Sequence, residues 1–236
     1  MMKLNQQNKV SHRAASPQRK LPLDRRWPVS LALIAISVGC ASTVPAPDYD
    51  SLTAQMMRSS FKEEGIAKLG RLDQDESNAA CSKALGGRLN DAQAAAIQEA
   101  ALKTVKMPTG GEFLGDWRKG EALAQNGRGM TWTDKSAAPN ANGGSCYNCH
   151  QISKEEISYG TIGPSLYQYG KLRGVTDPSD PKAKGILEYT WTKLWNAKAY
   201  NACSGMPRFG HSGLLDEGQL KDLMALILDP KSPVNR

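Results

Sequence analysis

Along most of this chain apolar residues recur at the three- and four-residue spacing of helix faces, and no stretch alternates as a half-buried strand does. The exception comes first. Val29 to Val38 is almost continuously apolar and follows the basic lead-in Asp24-Arg25-Arg26-Trp27-Pro28. That run is far short of the roughly 20 residues a membrane-spanning helix needs, so it reads as the core of a signal peptide. A polar, proline-containing linker follows from Ala41 to Asp48. In residues 49–106, Leu52, Met56 and Met57 share one helix face, and Ile66 and Leu69 suggest a second stripe. Asn90-Asp91 then caps an alanine-rich helix with Ile97, Ala101, Leu102 and Val105 at helical spacing. These Met and Ala positions read as packing residues. Gly86-Gly87 and the run Met107 to Gly111 mark breaks.

Three further helices are predicted in the C-terminal half. Asp116 to Ala124 forms the first, with Gly120 small enough to let another helix approach closely. Tyr189 to Ala197 is an aromatic-rich second. Asp216 to Leu228 is the strongest, with Leu220, Leu223, Met224, Ile227 and Leu228 on its apolar face. Asp229-Pro230 ends it, and Ser232-Pro233-Val234-Asn235 forms a tail. The fold class is therefore all-α, in three parts: a signal peptide and linker at 1–46, a helical N-terminal extension at 47–111, and a main domain at 112–236. The extension is too small for a large core of its own and is expected to pack on the main domain.

Charge changes the picture less than its total suggests. The formal net charge is +7, but seven of the 30 basic residues and one of the 23 acidic ones lie in residues 1–39. The remainder is nearly neutral, which argues against nucleic acid or an anionic membrane surface as a partner. The leader offers two cleavage points. Ser37-Val38-Gly39-Cys40 resembles a lipobox, with Ser37 where leucine is usual, and would leave Cys40 lipidated at the new N-terminus. A cut after Ala46, with Val44 three residues before the cleavage point, is the other. Either route exports the chain to the periplasm, and membrane attachment enters only through a lipid on Cys40.

The chemistry centres on Cys146-Tyr147-Asn148-Cys149-His150. Cys-x-x-Cys-His is the attachment signature of a c-type haem: two thiols add to porphyrin vinyl groups, and the histidine becomes the proximal iron ligand. A zinc site would need a second ligand pair, and no other Cys-x-x-Cys or His-x-x-x-His occurs. A thioredoxin-like dithiol would follow a strand, whereas this motif follows the glycine-rich Asn142-Gly143-Gly144. Of the other cysteines, Cys81 and Cys203 remain in an oxidising compartment, where a disulfide is the expected outcome and a free, sulfur-accepting Cys203 the alternative. The second axial ligand is expected to be Met206, in the loop Gly205-Met206-Pro207-Arg208-Phe209-Gly210. His211 is the alternative, while Met107 lies ahead of the main domain and Met130 reads as a buried loop residue.

These features, in the order helix, Cys-x-x-Cys-His, Gly163-Pro164, Met206-Pro207 and closing helix, resemble a class I cytochrome c. More narrowly they resemble the SoxX family, the small haem subunits of SoxAX cytochromes in bacterial thiosulfate oxidation. The matching stretches are Gly115-Asp116-Trp117, Gly127-Arg128-Gly129, the haem motif, Tyr159 to Leu166, Met206 to Gly210, and Asp229-Pro230 with Ser232 to Asn235. The resemblance implies a class I cytochrome c domain with one covalent haem c on Cys146 and Cys149, His150 proximal and Met206 distal. It implies that the Pro164 carbonyl meets the ring N–H of His150 and fixes its tautomer. It also implies a SoxA-like haem subunit as partner. The complex would join thiosulfate oxidatively to a cysteine of the SoxYZ carrier and pass electrons to a downstream cytochrome c. A free-standing periplasmic monohaem carrier is the alternative, and a catalyst using Cys203 a third.

Overall fold

Side-chain caps set several of the helix starts, among them the one expected at Asn90. The computed structural model describes residues 46–84 and 88–236. Within them run α1 (Tyr49–Ser60), α2 (Glu76–Lys83), α3 (Asp91–Lys103), α4 (Trp117–Gln125), α5 (Tyr169–Leu172), α6 (Lys184–Trp195) and α7 (Glu217–Leu228). The expected leader, Cys40 and Gly86-Gly87 lie outside the described residues. Asp75 caps α2 by accepting from the Asn78 N–H at 2.8 Å, and Asp116 caps α4 through Arg118 N–H at 2.9 Å. Asn90 with Gln93 and Asp216 with Gln219 form reciprocal capping boxes on α3 and α7. No strand occurs among the described residues; Glu64 and Ala67 make one isolated bridge. The chain is all-α.

The core is built around α7. Leu220, Leu223, Met224, Leu226, Ile227 and Leu228 are all buried, in one cluster with Leu187, Trp191 and Leu194 of α6. Helix α4 crosses α7 at Gly120, where a methyl group would overlap the Asp222 carbonyl. The crossing continues through Gly115 N–H, which donates to the Lys221 carbonyl at 2.9 Å, and Asp116 N–H, which donates to Asp222 Oδ1 at 2.8 Å. An approach this close is possible because α4 presents Gly120 and Ala124 to its neighbour.

The C-terminal run is more than a tail. Ser232, Val234 and Asn235 are buried. Asn235 accepts from Gly170 N–H at 3.0 Å and donates to the carbonyls of Ile227 and Asp229 at 3.2 and 2.9 Å. One polar side chain thus satisfies backbone groups at the ends of α5 and α7.

The N-terminal helices divide in two. Asp48–Arg236 forms one compact unit. The end of α3 joins it through two buried indole N–H groups: Trp195 Nε1 donates to the Thr104 carbonyl at 2.9 Å and Trp191 Nε1 to that of Lys106 at 2.8 Å. Asn196 adds a bond to Thr104 Oγ1 at 3.0 Å. By contrast α1 buries no residue, and Leu52 and Met56 are exposed. Of the stripe Leu52, Met56 and Met57, expected to pack, only Met57 is half-buried among the described residues. The aromatic helix also differs from its expected span of 189–197. It starts at Lys184 after the Pro181 turn, and it ends at Trp195 because Asn196 turns extended and caps the next turn instead.

Candidate functional site

The Cys-x-x-Cys-His segment is a single tight turn stitched to the end of α4. Cys149 and His150 N–H both donate to the Cys146 carbonyl, at 3.1 and 2.9 Å. Ahead of the turn, Gly144 N–H donates to the Leu123 carbonyl and Ser145 N–H to that of Asn126, at 2.9 and 3.0 Å. Gly143 passes so near Asn126 that a Cβ would overlap its carbonyl, which explains the glycine-rich approach. Ser145 takes the left-handed conformation needed to enter the turn.

Residues 160–166 wrap back over the motif. Gly160 N–H donates to the Tyr147 carbonyl at 2.8 Å, Gly163 N–H to Cys149 at 2.8 Å, and Leu166 N–H to Gln151 at 2.7 Å. Gly163 lies flat against the imidazole of His150, and a side chain there would overlap the ring. Next to it, His150 Nδ1 lies 2.7 Å from the Pro164 carbonyl oxygen. A carbonyl can only accept, so Nδ1 carries the proton, and in the neutral ring the lone pair is on Nε2.

Cys146 and Cys149 are unpaired, whereas Cys81 and Cys203 form a disulfide. Burial pushes the Cys146 thiol up to about 12. It is therefore neutral at ordinary pH. No three His, Cys, Asp or Glu side chains among the described residues converge into a group able to hold a metal ion unaided, those of the motif included.

Met206 stands on a separate loop. It is half-buried and packs against the main core, its N–H donating to Ser204 Oγ at 3.2 Å. His211 faces elsewhere. It lines an open groove with Asp75, Ala80, Ile97 and Lys198, on the side of α2 and α3. Its pKa is lowered by burial and by the nearby Arg208 charge. Met107 is exposed, and Met130 is half-buried with its carbonyl taken by Arg71 at 2.7 Å. The structure thus joins Cys146, Cys149, His150 and Pro164 by direct bonds, and brings Met206 to the same core by packing.

Two residues escaped the sequence pattern. Buried Asn142 donates to the Leu214 carbonyl at 2.9 Å, linking the approach to the motif with the segment after Met206. Asp75 forms an ion pair with Arg208 across 133 positions of sequence. Neither has a local signal, because each bond depends on chain segments that meet only in the fold.

No protein-family model matches the chain. A protein of Aquifex aeolicus (strain VF5) named an uncharacterized lipoprotein is 35% identical to it over 167 residues, covering 69% of this chain and 73% of that protein.

Proposed function

We propose that the chain, which belongs to the same family as that Aquifex aeolicus lipoprotein, is exported and lipid-anchored through Cys40, and, from its Cys-x-x-Cys-His motif, that it carries one covalent haem c. Cys146 and Cys149 hold the group by thioether bonds, His150 is its proximal ligand, and Met206 its distal one. The fold is then that of a class I cytochrome c domain with an N-terminal helical extension. The observation that carries this reading is the seat built for the His150 ring. Gly163 lets the backbone pack flat against one face of the imidazole, and the Pro164 carbonyl occupies Nδ1, so the ring is held with Nε2 left for iron.

When bound, the haem supplies a one-electron couple whose potential a methionine ligand raises. The chain's own residues supply the rest. The backbone turn 146–150 sets the spacing of the two sulfurs, the 160–166 segment fixes the ring, and Met206 presents a neutral sulfur. In this role the protein takes up and passes on electrons and holds no sulfur substrate. The disulfide supports that division, since Cys203 is paired with Cys81 and is not free to accept sulfur.

The resemblance to SoxX supports a finer reading. The chain is the electron-accepting subunit beside a SoxA-like haem subunit that couples thiosulfate to a cysteine of the SoxYZ carrier, and it delivers electrons to a downstream cytochrome c. The second reading is a free-standing monohaem carrier, to which the relative's name adds only a lipid anchor. Purification of the native chain from cell envelopes separates them. A stoichiometric second haem subunit bearing a reactive cysteine supports the first, and a chain that purifies alone and accepts electrons from unrelated donors supports the second. For the distal ligand, Met206→Ala is expected to remove the sulfur-to-iron absorption band and lower the potential. An unchanged spectrum would move the assignment to another residue.

A further inference from the structure

The loop bearing Met206 is held from two directions. Its flanks belong to the C-terminal half of the chain. Ala202 is buried, and its carbonyl accepts from the buried Lys198 Nζ at 3.0 Å. From Phe209 onward the backbone is fixed again: Phe209 is buried, Gly210 presses on the Trp195 ring, and His211 N–H donates to the Trp195 carbonyl at 3.0 Å. Between these anchors the stretch 203–208 bonds largely to its own neighbours, through Ser204 N–H to the Asn201 carbonyl and Met206 N–H to Ser204 Oγ. Among the described residues, two covalent or ionic ties join it to distant sequence, and both end on one short helix. Cys203, three residues before Met206, is disulfide-bonded to Cys81 within α2. Arg208, two residues after Met206, is paired with Asp75, the residue that caps α2.

We propose that α2 is a clamp on the Met206 loop, with Cys81 and Asp75 acting as positioning residues for the distal iron ligand. The proposal rests on the reading of Met206 as that ligand. A six-residue loop pinned only at its ends samples many conformations, and each added tie removes some of those in which the methionine is away from the iron. The two ties grip opposite shoulders of the loop, so neither shoulder can swing without straining the other. An external ligand competes for iron only while the methionine is off, so its apparent affinity reports the fraction of open loop.

The test is an imidazole titration of the holoprotein, followed by loss of the sulfur-to-iron absorption band, with haem content and helical circular dichroism measured alongside. The Cys81→Ser/Cys203→Ser variant is expected to bind imidazole about tenfold more tightly than the parent, as a tenfold larger open fraction requires. Asp75→Asn is expected to shift the same way by about threefold, because a partly exposed ion pair is the weaker tie. Arg208→Gln is expected to shift the affinity by the same factor, and Asp75→Asn/Arg208→Gln no further than either alone, which independent losses of stability would not do. Unchanged imidazole affinity in both single-tie variants, with α2 newly open to protease, would overturn the proposal; the ties would then serve to hold α2 on the protein. If the double-serine chain fails to fold, the Asp75 series decides alone, since it keeps the disulfide. A parent protein without the band, or a band that survives Met206→Ala, would sink the underlying assignment of Met206 and the clamp with it.

Discussion

The two sides of this candidate haem site are built in opposite ways. On the His150 side most ties are close in sequence, the bond from Asn142 to the Leu214 carbonyl excepted. Residues 143–145 bond to the end of α4, and residues 160–166 fold back on 147–151, down to the 2.7 Å approach of Pro164 to the imidazole. On the Met206 side the loop depends on partners far away, with the disulfide spanning 122 positions and the Arg208 ion pair 133. The difference teaches where rigidity comes from. Local backbone bonds can preset a turn before the rest of the chain folds, whereas long-range ties hold a loop only after the helices that carry them have docked.

That contrast can be broken at either side, and the largest effect is expected from the distal one. Replacing Cys81 and Cys203 together with serine removes a constraint on a very long loop of the unfolded chain. It should cost about 3–5 kcal/mol in denaturant unfolding. A change below about 1 kcal/mol would mean that the cross-link does little for the folded state.

The proximal side is broken most directly at Gly163. In Gly163→Ala the added methyl has nowhere to go but into the His150 ring. Overpacking of this kind costs about 1–3 kcal/mol. The ring should also leave its seat, so the N–H resonance of His150 Nδ1 is expected to lose the signature of its bond to Pro164. A variant with parent stability and an unmoved ring would show that the wrap over the motif is loose.

The smallest effect is expected at Asp75 and sharpens the comparison by its pH dependence. Burial works to raise this carboxyl, but hydrogen bonds from Asn78, Ser77 and Arg208, with the Arg208 charge, outweigh it and hold the group below its ordinary 3.8. A depressed carboxylate stabilises the fold in full above its unfolded value and loses that contribution as pH falls through the folded one. With the carboxylate partly exposed, Asp75→Asn should cost about 0.5–1 kcal/mol at neutral pH. The gap between variant and parent should close as the pH drops below about 4. A gap independent of pH would mean that the charge of the carboxylate adds nothing to the folded state.

How much of this was legible beforehand follows the same division. The caps at Asn90, Asp116 and Asp216, the apolar face of α7 and the close crossing at Gly120 were all readable, because each rests on spacing within one element. The turn from Cys146 to His150 and the glycines near it were readable as a local motif. The stretch Ser232 to Asn235 looked like a tail since polar side chains carry no burial signal, yet Asn235 caps two helices from inside the core. Asp75 drew no attention in the sequence, because nothing within α2 announces Arg208. Leu52 and Met56 erred the other way, an apolar stripe that this chain leaves exposed.

The central claim is that Cys146, Cys149 and His150 seat a covalent haem, and the most direct measurement is the intact mass of the exported chain. It would be compared with Cys146→Ala/Cys149→Ala, both made in cells that attach c-type haem, and read with a haem stain after denaturation. The account predicts a mass gain of one haem on the parent chain that survives denaturation, and none on the double variant. A parent chain of bare polypeptide mass, or a haem that washes away on unfolding, would contradict it.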